Sequence, residues 1–165
     1  MNRQTQDALF VEWISEHHRI LHRVANSFAS GAEREDLMQE LLVSLWKAIP
    51  SFREESAAST FAYRVLHHSA LTWNRGETRR KKRQSLAETH LVAALQEEPP
   101  DERLELLYEY IRELPDIDRS VITMALDGLG HAQIGAIMGA TQNSISVRIH
   151  RIRKQLAKAY TTKRP

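Results

Sequence analysis

Residues 128 to 158 read GLGHAQIGAIMGATQNSISVRIHRIRKQLAK, and this stretch decides the fold. Ile134, Ile137 and Met138 recur at helical spacing, Gly139 breaks the pattern, and Thr141 restarts it with Ile145, Ile149, Ile152 and Leu156 at steps of four, three and four. The spacing predicts helix, tight turn, helix. Gly139 can take the positive φ such a turn requires, and the Thr141 side chain can accept a bond from an orphan N–H of the second helix, which should begin near Gln142. With the isoleucine stripe facing inward, Gln142, Asn143, Ser146, Val147, His150, Arg151 and Lys154 face outward. Hydrogen-bonding tips come first and cations later. That order suits a helix whose first turns meet base edges while its basic residues meet phosphate oxygens. A basic amphipathic helix packed in a bundle satisfies the same pattern.

The charge map divides the rest of the chain. Residues 1–74 carry seven Lys/Arg and nine Asp/Glu, residues 75–83 six and one, residues 84–118 two and ten, and residues 119–165 eight and one. A near-neutral total of +2 therefore hides two basic surfaces separated by an acidic segment, and phosphates are natural partners for both. A chain of 165 residues without cysteine has no disulfides, thiolate metal sites or thiol nucleophiles. The N-terminus is polar and no apolar run approaches the ~18 residues of a membrane span, so a cytoplasmic protein without membrane insertion is expected. With six glycines, five prolines and no β-branched alternation, the fold class is all-α.

The expected architecture is two small helical domains joined by an acidic flexible linker. The first domain, residues 6–83, opens with a helix from Gln6 to Phe28 carrying Phe10, Trp13, Ile14, His17, Leu21, Val24 and Phe28 on one side and ended by Gly31. His18 and His22 stand at i, i+4, but no third ligand at matching spacing follows, so surface or half-buried histidines are the reading and no metal or other cofactor is expected. A second helix, starting near Glu33 and ending before Pro50, buries Leu37, Leu41, Leu42, Leu45, Trp46 and Ile49, leaving Asp36, Gln39, Glu40, Val43 and Lys47 on the opposite face. Residues 51–59, SFREESAAS, lack periodicity and predict a loop anchored by Phe52. Ser59 or Thr60 can cap a third helix that carries Phe61, Tyr63, Arg64, His67, His68, Leu71 and Trp73 into the basic run Arg75–Arg83. Aromatic faces beside dense positive charge suit single-stranded DNA, although each aromatic taken singly belongs as readily to a core. The linker spans 84–103, with a short helix possible at Leu86–Leu95 before Pro99 and Pro100 interrupt it. The second domain, 104–160, adds a helix with Leu104, Leu107, Ile111 and Leu114, another from Ile117 to Leu126, and the helix-turn-helix.

Three segments in this order resemble the bacterial RNA polymerase sigma factors of the extracytoplasmic-function (ECF) type. EDLMQELLVSLWKAIPSFR at 35–53 is similar to the family's Asp-x-x-Gln-Glu-x-x-x-x-x-x-Trp pattern at Asp36, Gln39, Glu40 and Trp46, with Leu42 or Val43 where Phe is usual. FAYRVLHH at 61–68 and LPDIDRSVITMALDGLGHAQIGAIMGATQNSISVRIHRIRKQL at 114–156 resemble its melting helix and its C-terminal signature. The resemblance implies a promoter-specificity subunit that binds RNA polymerase core, recognises −35 and −10 elements and promotes melting. It implies docking of Asp36, Gln39, Glu40, Val43 and Lys47 on the β′ clamp, with the β flap as a second polymerase contact. Phe52, Phe61, Tyr63, Arg64, His67, His68, Arg75, Arg79 and Arg80 would serve the −10 element, with its melted non-template strand. Gln142, Asn143, Ser146, Val147, His150 and Arg151 would read the −35 duplex, with Arg148, Arg153 and Lys154 on phosphate. Phe61, His68 and Ser146 depart from the usual Trp, Asn and Lys or Arg, and without a long cation at 146 a bidentate contact to guanine worth about 1–3 kcal/mol is missing. An anti-sigma factor is expected as a partner, as is nucleoid association when bound to polymerase. No nucleophile, acid–base pair or phosphate loop occurs, so the chain is not expected to be an enzyme. The alternatives are a helix-turn-helix regulator acting on duplex DNA without core polymerase, and an adaptor that uses its helices only to bind proteins.

Overall fold

The computed structural model describes residues 2–76 and 102–163, and their regular structure is entirely helical. The chain divides into two compact units, residues 1–98 and 99–165. The possible helix at 86–95, Arg79, Arg80 and most of the expected linker lie outside the described residues.

The first unit is built from α1 (Arg3–Phe28), α2 (Gly31–Ala48), a 3-10 turn (Ile49–Ser51) and α3 (Ala58–Asn74). Asn2 caps α1, its side chain accepting from Thr5 N at 2.8 Å, and α1 kinks at His17, where φ is −118° and ψ 16°. Gly31 does not end α1, as the sequence suggested. Helix α1 stops at Phe28, and Gly31, at φ +55°, opens α2. The capping of α3 also differs: its N-cap is Ala57, with no side-chain bond, so neither Ser59 nor Thr60 serves. Each helix packs on the other two around Leu21, Leu37, Leu41, Leu45, Ile49 and Leu66, all fully buried. Trp46 is only half-buried. Its indole Nε1 donates to Asp7 Oδ1 at 2.9 Å while its carbonyl accepts from Gln6 Nε2 at 2.8 Å, so it ties α2 to the start of α1 by polar bonds as well as by area.

The second unit comprises α4 (Glu102–Arg112), α5 (Asp116–Leu126), α6 (His131–Met138) and α7 (Gln142–Lys163). Glu102 and Arg103, expected at the end of the linker, already belong to α4, and α7 runs past the expected boundary at 160. Ile111, Met124, Ile134, Ile145, Ile149 and Ile152 form the core. Tyr108 and Tyr110, which the aliphatic pattern passed over, are buried too, whereas Leu104 and Leu126 are about two-fifths exposed. The Tyr110 hydroxyl donates to Ala159 O at 3.3 Å, fastening α4 to the last turns of α7.

The turn between α6 and α7 explains two glycines. Gly139 is left-handed at φ 68°, ψ 35°, and Ala140 N donates back to Gly135 O at 2.9 Å. The chain thereby folds so tightly over α6 that a Cβ on Gly135 would lie 2.6 Å from Ala140 O. The obstacle is backbone and cannot swing away. Gly135→Ala is expected to destabilise the second unit by a net ~1–2 kcal/mol, overpacking outweighing the ~1 kcal/mol by which alanine favours a helix. Thermal unfolding followed by circular dichroism checks this, and an unchanged or raised midpoint would show that the turn relaxes.

Candidate nucleic-acid and polymerase interfaces

On α2, positions 36, 39, 40, 43 and 47 share one side because they recur every three or four residues. Asp36, Val43 and Lys47 are exposed and Gln39 and Glu40 half-buried. Val43, 42% exposed, is an apolar residue in the middle of this polar face. These five residues therefore share one accessible face.

At the far end of α2 an aromatic corner forms. Phe52, just after the 3-10 turn, meets Trp13 and Phe61 edge-on or tilted, at ring-centroid distances of 5.0 and 5.2 Å, and Trp13 meets Phe61 at 5.8 Å. Such a three-ring cluster fixes where the loop leaves α2 and where it rejoins α3. Within the loop, Glu54 is at φ 59°, a left-handed conformation uncommon for glutamate. Phe52 and Phe61 remain half-buried, so their rings are partly accessible beside the loop.

Helix α3 separates the remaining candidates. Arg64, His68 and Arg75 are exposed, whereas Tyr63 and His67 are buried at 6% and 2% exposure. Their rings stack at 6.1 Å with 15° between planes, and Phe28 lies 6.4 Å from His67. These two side chains belong to the core and do not face a nucleic acid in this structure. Neither ring nitrogen of His67 has a hydrogen-bond partner among the described residues, and burial pulls its pKa down to about 3, keeping the imidazole neutral. His18 Nδ1 lies 3.0 Å from Ser15 O, and among the described residues no group of three or more His, Asp or Glu could hold a metal ion.

On α7, Gln142, Asn143, Val147, His150, Arg151, Arg153 and Lys154 are exposed, and Ser146 and Arg148 half-buried. Val147 is 63% exposed. Thr141 Oγ1 accepts from Ser144 N at 3.2 Å, and Ser144 Oγ donates to Thr141 O at 2.9 Å, closing the first turn. One residue of this site escaped the sequence reading. Asp118, in the first turn of α5, is only 3% exposed, and its carboxylate accepts from both Arg148 and Arg151. A signal existed: 118 falls on the stripe of Val121, Ile122 and Ala125, and an acid on an apolar stripe needs a cation from elsewhere in the chain.

Two family descriptions match the chain in order: Sigma-70 region 2 over residues 13–80 and Sigma-70, region 4 over residues 104–156. The chain belongs to the sigma-70 family. Its relatives are RNA polymerase sigma factors of the ECF type. The ECF RNA polymerase sigma-E factor of Escherichia coli (strain K12) is 28% identical over 152 residues, covering 84% of this chain and 79% of that one. RNA polymerase sigma factor YlaC of Bacillus subtilis (strain 168) is 27% identical over 135 residues, 78% of each. The fold is similar to that of sigma factor RpoE solved with the anti-sigma factor NepR from Bartonella quintana, with a TM-score of 0.68 at 20% identity over 94% of this chain and 98% of that one. CnrH, solved with the cytosolic domain of CnrY, gives 0.67 at 18% identity over 96% and 91%. This sigma factor is thus a promoter-specificity subunit of RNA polymerase, and a regulator independent of the polymerase is not favoured. Among its described residues no helix is long and apolar enough to cross a membrane.

Proposed function

We propose that this sigma factor docks on core RNA polymerase through the α2 face, reads the −35 duplex through α7, and receives the melted −10 strand at the aromatic corner and the exposed edge of α3. The observation that carries the proposal is the pairing of two accessible faces with two family matches in the order regions 2 and 4 require. Asp36, Gln39, Glu40, Val43 and Lys47 form the polymerase face, where an apolar Val43 ringed by polar groups suits a helix packed on a coiled coil. Phe52 and Phe61 offer partly accessible rings for stacking on unpaired bases, with Arg64, His68 and Arg75 placed to hold the backbone. Capture of an extruded base would offset an unstacking cost of about a few kcal/mol. Tyr63 and His67 support this surface from beneath. The chain acts by binding, without catalysis, in the cytoplasm and on the nucleoid when bound to polymerase. The two similar folds were each solved with a partner, NepR called an anti-sigma factor and CnrY represented by its cytosolic domain, so an anti-sigma factor is the further partner proposed here.

Run-off transcription with purified core enzyme tests the assignment: specific transcripts should depend on adding this chain. Asp36→Arg is expected to weaken core binding about tenfold, since it reverses a charge at the edge of the docking face, while the thermal midpoint stays within a degree or two. Unchanged affinity for core, measured by fluorescence anisotropy, would remove α2 as the docking face.

A further inference from the structure

Arg148 and Arg151 are both cations on a DNA-facing helix, yet they are not equivalent. Taking 100° per residue, the buried stripe of Ile145, Ile149 and Ile152 faces α5 and α6. Arg148 lies on the flank of that stripe and is half-buried, whereas Arg151 lies next to Val147 and His150 on the open face. Both converge on one carboxylate. Arg148 Nη1 donates to Asp118 Oδ1, and Arg151 Nη2 lies 3.1 Å from Oδ2 and 3.3 Å from Oδ1 of the same residue. The carboxylate is almost wholly buried, the two guanidinium side chains are 37% and 57% exposed, and a buried charge of this kind requires its partners.

We infer that Asp118 is a positioning residue for promoter readout: it commits Arg148 to the protein and holds Arg151 by one end at the margin of the reading face. The inference rests on α7 being the −35 reader. Arg151 meets Asp118 through Nη2, which leaves the other donors of its planar fork for a DNA partner. A cation fixed in this way discriminates among bases or backbone positions, whereas a free one only attracts phosphate. Asp118 also offsets one of the two positive charges on this part of α7, which weakens attraction to DNA of any sequence. Specificity is thereby gained at both ends, by a better-aimed contact and by weaker non-specific binding.

The test uses holoenzyme assembled from the full chain and core polymerase, binding promoter fragments with an intact or a scrambled −35 element across a range of salt concentrations. Asp118→Asn frees both arginines. The expected result is tighter binding to the scrambled fragment, a preference for the intact element reduced roughly tenfold, and a steeper dependence of log K on log salt, by about 0.9 for each newly engaged phosphate. Equal losses on both fragments with an unchanged salt slope would mean that Asp118 serves folding alone, and would overturn the inference. If Asp118→Asn does not fold, Arg148→Met decides: the salt slope should hold while the thermal midpoint falls, since a guanidinium committed to Asp118 contacts no phosphate. A slope shallower by about 0.9 would refute that commitment. If the parent holoenzyme did not distinguish intact from scrambled −35 elements, the reading of α7 itself would fall, a different result from a discriminating parent with an indifferent Asp118→Asn.

Discussion

Lowering the pH from 7 to 5 is expected to cost the first unit about 2 kcal/mol of stability, chiefly through His67. Its imidazole is buried against Tyr63 and Phe28, and burial lowers its pKa from 6.5 to about 3. Between those two values the unfolded chain binds a proton that the folded chain refuses. Stability from this group is therefore complete above about pH 6.5 and is lost as the pH falls toward 3, with a slope approaching about 1.4 kcal/mol per pH unit. Tryptophan fluorescence isolates the effect, because Trp13, Trp46 and Trp73 are the chain's three tryptophans and all lie in the first unit. His67→Leu, which keeps the site filled and cannot be protonated, should flatten the profile between pH 6.5 and 5. A variant as acid-sensitive as the parent would assign the loss to other groups. A neutral, buried histidine one turn from the exposed Arg64 and next to the exposed His68 also couples the proposed melting surface to the core on which it stands.

Arg119→Met is expected to destabilise the second unit by about 3 kcal/mol. Arg119 is 7% exposed, and its Nη2 donates to Arg112 O at 2.7 Å, in the last residue of α4, and to Leu114 O at 3.0 Å, just beyond it, where the helix's own hydrogen-bond ladder runs out. Burial lowers the pKa of this guanidinium, with Asp116 opposing and Arg112 adding to the effect. Asp116 Oδ1 lies 3.9 Å away. A hydrogen bond to a charged group contributes about 1.5–3 kcal/mol. Methionine retains most of the stem's packing, so the loss reports the polar contacts. The expected signature is an early circular-dichroism transition with the tryptophan transition unmoved. If both transitions stayed in place, the stapling of α4 to α5 by Arg119 would be energetically idle.

The two predictions fall on residues that the sequence reading treated differently. An arginine inside LPDIDRSV looks like any solvated cation until the end of α4 is folded back against it. The resemblance puts His67 on a DNA-facing surface with Arg64 and His68, since it assigns a role to a segment and not to each side of a helix. Helix α3 packs against both α1 and α2, so a wider arc of it is covered than a single apolar stripe suggests, and Tyr63 and His67 fall inside that arc.

Short-range periodicity and composition encode the all-α fold class, the helix-turn-helix with its Gly139 break and Thr141 cap, the polar face of α2, and the alternating charge blocks. Each depends on residues within a few turns of one another, so its pattern survives in one dimension. Folding alone sets which aromatics stack in the open and which in the core, and brings Arg148 and Arg151 of α7 to Asp118. The physical reason is that burial and ion pairing belong to neighbours in space. Gly128 to Lys158 shows both sides of this: its own letters specify the turn and the outward face, while Asp118, outside the stretch, sets how two of its cations are held.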